Sequence, residues 1–151
     1  MKHKIAESVT KYNNTCSVED DADGKCFGGY ARLATAIRDA KAQGGNVLAL
    51  DGGDQFQGSL YYSTYRGQLT AQLMTMAGYD AMTIGNHEFD DGPEVLEAFI
   101  KASTVPVLSA NVHPTAASSL DGEIKPDIIV ELGGEKIGLI GITTEETPDI
   151  S

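Results

Sequence analysis

One local pattern constrains this chain more than any other. A short apolar run without polar alternation stops at glycine or at small polar residues. It recurs at Asn46–Asp51, which discharges into Gly52-Gly53-Asp54-Gln55-Phe56-Gln57-Gly58. It recurs at Asp80–Ile84, which leaves through Gly85-Asn86-His87-Glu88-Phe89-Asp90, and at Val105–Leu108, which leaves through Ser109-Ala110-Asn111. Runs of this kind are expected of strands covered on both faces. Helical spacing lies between them: Leu69, Leu73 and Met76 within 66–77, with the methionines as core filling, then Val95, Leu96, Phe99 and Ile100 behind Pro93. Strand, helix, strand, helix, strand predicts an α/β fold with a mostly parallel sheet.

The flanking segments complete this outline. Gly28-Gly29 opens a further helix with Leu33, Ala34, Ile37 and Ala40, which stops at Gln43-Gly44-Gly45. Its Arg32 is most simply solvated or salt-bridged, with a buried structural pairing as the alternative. Asp127–Leu132 and Lys136–Ile142, separated by Gly133-Gly134-Glu135, read as a hairpin appended to the parallel part. Residues 1–29 read as polar and irregular, and Thr143–Ser151 as an end without a capping element.

Length and charge bound the function. A chain of 151 residues fits one domain and can bury about two thirds of its unfolded surface. A net charge of -11 argues against direct capture of nucleic acid or of an anionic membrane surface. A phosphorylated substrate would need local positive charge, which bound cations supply; solubility is the plain alternative reading of the same charge. No stretch approaches the ~18 apolar residues of a membrane span, and Met1-Lys-His-Lys is not followed by the apolar core of a signal peptide.

Cys16 and Cys26 are too far apart for a Cys-x-x-Cys site. A disulfide closing their loop implies an oxidising compartment; two unrelated free thiols are the other possibility. Inside that loop Glu19, Asp21, Asp23 and Gly24 mimic the start of an EF-hand. Tyr30 stands where its bidentate acid is required, so a solvated acidic loop is expected instead.

In a parallel sheet the exits carrying Asp54 and Asn86 share one edge, where ligands and catalytic groups collect. Adjacent strands lie roughly 4.8 Å apart, comparable with the separation of paired catalytic metals. A carboxylate such as Asp54 can bridge two cations, and Asn86 can offer a neutral oxygen. His87 and Asp90, three residues apart, can pair so that the carboxylate fixes the tautomer and stabilises the protonated ring. A turn residue, a C-cap and a surface ion pair are the structural alternatives for these positions, and His113 reads as an ordinary loop histidine.

Taken together the residues are more specific. Gly-Gly-Tyr-Ala-Arg-Leu at 28–33, Leu-Asp-Gly-Gly-Asp-Gln-Phe-Gln-Gly at 50–58, Gly-Asn-His-Glu-Phe-Asp at 85–90 and Ser-Ala-Asn at 109–111 resemble the calcineurin-like metallophosphoesterases, in their 5'-nucleotidase branch. The likeness runs from about Tyr12 to the end. It implies a layered α/β metallophosphoesterase sheet and a hydrolase that removes phosphate from nucleoside 5'-monophosphates, using two divalent ions such as Zn or Mn and an activated water. It also implies roles: Asp54 as bridging ligand, Asn86 as ligand of the second metal, His87 with Asp90 as catalytic dyad, and Glu88 and Phe89 as structural. Cys16 and Cys26 match a disulfide-bearing loop of some relatives.

The family pattern also requires an Asp-x-His on a first strand and further histidine ligands downstream. Aligned without gaps, Met1-Lys-His3 falls on that triplet, which leaves His3 as a candidate ligand with the strand itself missing. The expectation is therefore a partial catalytic domain over 1–151, cut at both ends, with the family's nucleotide-binding domain beyond Ser151 and an export signal upstream of Met1. Location would be periplasmic or extracellular. One metal or none is expected here, together with self-association through an unpaired sheet edge. The alternative is a folded fragment or inactive paralogue that binds at most one divalent ion without catalysis. Cyclic 2',3'-phosphodiesters and nucleotide sugars are alternative substrates.

Overall fold

A computed structural model describes residues 9–10 and 15–151. Its elements in chain order are β1 (Val9–Thr10), α1 (Val18–Ala22), β2 (Cys26–Phe27), α2 (Tyr30–Ala42), β3 (Leu50–Asp51), α3 (Leu60–Tyr65), α4 (Gly67–Ala77), β4 (Ala81–Thr83), α5 (Pro93–Ala102), β5 (Val107–Leu108), β6 (Asp127–Leu132), β7 (Glu135–Ile140) and α6 (Thr147–Ile150). Strands β3, β4 and β5 form a parallel sheet in that order, in register Leu50↔Ala81 and Met82↔Val107. The expected α/β fold with a parallel βαβ part is therefore present.

The core lies where α4 and α5 cover this sheet. Ile84, Met82, Met74, Leu96 and Phe99 are buried there. The Phe56 ring lies 4.8 Å from Tyr62 and 5.3 Å, edge-on, from Phe99. Offset and edge-to-face contacts of this kind add to the area term. Phe56 belongs to the loop after β3, so the site loop is tied to the core by its own aromatic ring.

Several expectations are corrected. The helix expected over 66–77 is α4, Gly67–Ala77, but a second helix, α3, precedes it unforeseen, and the chain turns between the two at Arg66 (φ 52). Helix α3 starts with Ser59, whose hydroxyl accepts the Tyr62 N–H at 3.1 Å. The covered face of α4 is Gly67, Thr70, Ala71, Met74 and Ala77, while Met76 is 78% exposed. Glycine at 67 admits this packing: a Cβ there would meet the Phe99 Cβ at 2.7 Å.

Strand β3 is not covered on both faces; it lies at the sheet edge among the described residues, and Leu50 is 52% exposed. The acidic stretch is not irregular but forms α1, capped reciprocally by Ser17 and Asp20, and β2 pairs with β1. The C-terminal segment carries the short helix α6, with Pro148 near its start, where a missing N–H costs nothing.

The expected hairpin is present, but its second strand is Glu135–Ile140 rather than Lys136–Ile142, so Glu135 is paired and not part of the connection. Strands β6 and β7 pair from Asp127↔Ile140 to Leu132↔Glu135, leaving Gly133 and Gly134 as the connection. Both have positive φ (61 and 86), which a two-residue primed turn requires. The chain beyond β7 docks beside the exits of β4 and β5. Ala110 N–H donates to Gly141 O at 2.7 Å, and the Thr83 hydroxyl donates to Ile142 O at 3.2 Å. Asn111 bridges in both senses, donating from Nδ2 to Thr143 O and accepting the Thr143 N–H. Among the described residues no helix is long and apolar enough to cross a membrane.

Candidate active site

The site grows out of two loops pressed together at the ends of β3 and β4. Asp51, the last residue of β3, accepts the Gly53 N–H at 3.0 Å and the Gln55 Nε2 at 2.9 Å, which closes the first loop. Gln55 in turn accepts the Tyr30 hydroxyl at 2.8 Å. Burial raises the pKa of Asp51 against the opposing pull of its hydrogen bonds to Gly53, Tyr79 and Gln55, and the nearby Asp54 charge raises it further. Burial likewise raises the Tyr30 and Tyr79 hydroxyls.

The glycines between the loops are steric necessities. A Cβ on Gly53 (φ +87) would lie 2.9 Å from both Gly85 Cα and Thr83 O, and one on Gly85 would lie 2.6 Å from Asp54 N. Asp54 itself adopts φ 59, a left-handed conformation uncommon outside glycine. Its Oδ1 accepts the backbone N–H of His87 at 3.2 Å. The two predicted exits therefore meet, with an exposed carboxylate from one touching the imidazole-bearing turn of the other.

That turn runs from His87 to Phe89 as a single 3-10 turn. His87 Nδ1 lies 2.8 Å from Asp90 Oδ2. The Asp90 hydrogen bond raises the His87 pKa above its ordinary 6.5, slight desolvation opposes this, and the charges of Asp90, Asp54 and Glu88 add to the rise. The neighbouring Asp91 is occupied elsewhere: it accepts the Tyr62 hydroxyl at 2.6 Å and Arg66 Nη1 at 2.8 Å. Asp90 is thereby left to serve the histidine.

Linkage follows with a definite sign. A pKa raised on folding means that the His87–Asp90 pair contributes its full stability below the ordinary imidazole pKa. That contribution is lost as pH rises through the elevated value. Replacing Asp90 by Asn is expected to bring the His87 midpoint down toward 6.5, read by NMR titration of the ring protons. A midpoint that does not fall would contradict the pairing.

Of the predicted residues, Asp54, Asn86, His87 and Asp90 come to one edge. Asn86 donates from Nδ2 to the Ser151 hydroxyl at 3.1 Å, and that hydroxyl donates back to Asn86 O at 2.8 Å. Cys16 and Cys26 form the expected disulfide, with a Cα–Cα distance of 5.8 Å, in the segment leading into α2. Arg32 pairs with Asp21, as the simpler reading has it. His113 is exposed. His3 lies outside the described residues. The Asp51–Gln55–Tyr30 chain was not anticipated, although an aspartate two residues before an N–H is a known turn-former. Nothing in the sequence foretells the partnership of Tyr30 with Gln55.

Do these residues suit a metal? Among the described residues no group of three or more His, Cys, Asp or Glu side chains could hold one. The donor types present are those of part of a divalent site: the exposed Asp54 offers anionic carboxylate oxygens, and Asn86, on the neighbouring exit, offers a neutral amide oxygen while its Nδ2 is engaged by Ser151.

The same residues lie within a wider similarity. The family model for calcineurin-like phosphoesterase matches residues 3–150. The snake venom 5'-nucleotidase of Gloydius brevicauda is 42% identical over 152 residues, covering 99% of this chain and 25% of that protein. The 5'-nucleotidase of Diplobatis ommata is 44% identical over 135 residues, covering 85% and 23%. Among solved structures, the 5'-nucleotidase precursor from Thermus thermophilus superposes with a TM-score of 0.82 at 37% identity, over 97% of this chain and 28% of that one. The chain thus spans about a quarter of the length of these relatives.

Proposed function

Because this chain belongs to the calcineurin-like phosphoesterase family, we propose that it carries one edge of the catalytic centre of a metal-dependent phosphomonoesterase acting on nucleoside 5'-monophosphates. The observation that carries this reading is the meeting of the two strand exits. Asp54 accepts the His87 N–H while His87 holds Asp90 at 2.8 Å.

In this reading Asp54, through its carboxylate, and Asn86, through its neutral amide oxygen, are the residues that would hold divalent cations. A bound divalent cation would neutralise phosphoryl charge and activate water, which a chain of net charge -11 needs to admit an anionic substrate. Asp90 accepts the hydrogen bond of the Nδ1–H, fixes the ring and stabilises its charged form. Nε2 is then the atom that donates to a phosphoryl oxygen or to the leaving oxygen. The raised His87 pKa keeps that proton in place closer to neutral pH.

The test is phosphate release from AMP and p-nitrophenyl phosphate by the 151-residue chain with added Mn or Zn. A second reading, a folded unit that binds at most one ion without catalysis, is favoured by the sparse donor set among the described residues. Metal binding without any phosphate release would select it.

Two further proposals follow from the fold. The Cys16–Cys26 disulfide favours a periplasmic or extracellular location. The β3 edge, with Leu50 exposed, and the outward Ile129 and Ile140 of the hairpin favour self-association. Light scattering is expected to show an apparent mass that rises with concentration. A monomer mass at every concentration would contradict it.

A further inference from the structure

Glu88 is the fully buried side chain at the centre of the site, with 0% of its surface exposed. Its partners are four backbone N–H groups: Oε2 accepts those of Asp54 at 2.9 Å and Gly85 at 2.7 Å, while Oε1 accepts those of Gln55 at 2.6 Å and Phe56 at 3.2 Å. Three of these donors belong to the loop after β3 and one to the loop after β4. A carboxylate is the side chain that can receive all four, since its two oxygens together offer about four lone-pair sites and no donor.

We infer that Glu88 is a positioning residue for phosphoryl transfer: its carboxylate sets the position of Asp54 relative to His87 by latching one loop onto the other. The inference rests on the phosphoesterase reading above. Three observations lead to it. Asp54 holds a left-handed φ of 59, a conformation that persists only where surrounding contacts over-determine it; the N–H of Asp54 and the next two N–H groups all end on Glu88. Phe56, the last of those donors, is 2% exposed and anchored on Tyr62 and Phe99, so the latch is referred to the core. Glu88 follows His87 directly in the 3-10 turn, so the point that fixes the Asp54 loop is one residue from the imidazole.

The variant that isolates this role is Glu88→Gln. It keeps the shape but replaces one acceptor oxygen by an NH2 group aimed at two backbone donors. Mutating outer partners of metal ligands typically costs about 10–100-fold in affinity or activity. The Mn affinity of the variant, measured calorimetrically, is accordingly expected to fall by about 10–100-fold, and kcat on AMP by a similar factor with KM little changed. If the variant remains folded and melts earlier but keeps the wild-type Mn affinity and kcat, Glu88 is a structural residue only and the inference is wrong.

A measurement on the wild-type chain does not depend on that variant folding. The amides of Asp54, Gln55, Phe56 and Gly85 are expected to be protected from hydrogen exchange and to open together, although Asp54 lies on an exposed loop. Exchange at free-loop rates would overturn the latch whatever the metal does, and would leave the phosphoesterase reading standing. Protected amides in a chain that binds no Mn would instead remove that reading.

Discussion

Gly85→Ala is expected to lower the thermal stability of this chain by roughly 6–12 °C and to dislodge Asp54. A Cβ at position 85 would stand 2.6 Å from Asp54 N and 2.9 Å from Asp54 Cγ, with backbone rather than a flexible side-chain tip as part of the obstacle. Overpacking of this kind costs about 1–3 kcal/mol, occasionally more. Here it also pulls two N–H donors off a buried carboxylate, those of Asp54 and Gly85 on Glu88 Oε2, and an unsatisfied buried acceptor is expensive in itself. A sum of about 3 kcal/mol corresponds to the stated shift, at roughly 2–4 °C per kcal/mol for a chain of this size.

Gly52 is the internal control. It lies in the same loop, but a Cβ there meets nothing within 4 Å. Gly52→Ala is expected to change stability by no more than about 0.5 kcal/mol. Equal melting shifts for the two variants would show that loop glycines matter for chain flexibility rather than for the contact between the loops.

How much of this was legible in the sequence depended on the range of the interactions concerned. Helix α5 was legible because Pro93 opens it and Leu96 and Phe99 recur at its buried spacing. The hairpin was legible because paired glycines between β-rich runs dictate a primed turn. The strand exits were legible because polar residues crowd in where apolar runs stop, and that placed Asp54, Asn86, His87 and Asp90 at one edge. Helix α3 was not, since Leu60-Tyr-Tyr-Ser-Thr-Tyr65 has weak helix propensity and is held by tertiary contact, with Tyr62 packed on Phe56. Met76 misled because spacing alone does not say which of two overlapping stripes of α4 faces the core. Glu88 was recognisable as structural, but its donors lie up to 34 residues away, and no local pattern reports such a pairing.

His87→Ala carries the second large expected effect. The imidazole is held at 2.8 Å by Asp90, and the His87 backbone N–H donates to the Asp54 carboxylate at 3.2 Å. A positioned proton donor of this kind typically contributes about 10²–10⁴-fold to turnover. Because the ring is partly exposed, its removal is expected to leave the fold intact, so the loss would be chemical rather than structural.

The most direct test of the central claim, that the meeting of the β3 and β4 exits forms the reactive edge of a phosphoesterase, is the rate of phosphate release from AMP. It is measured with Mn present and then chelated, for the wild-type chain and for His87→Ala. Release is expected to require the metal and to fall about 10²–10⁴-fold in the variant. Release that survives chelation, or that is the same in wild type and His87→Ala, would contradict it.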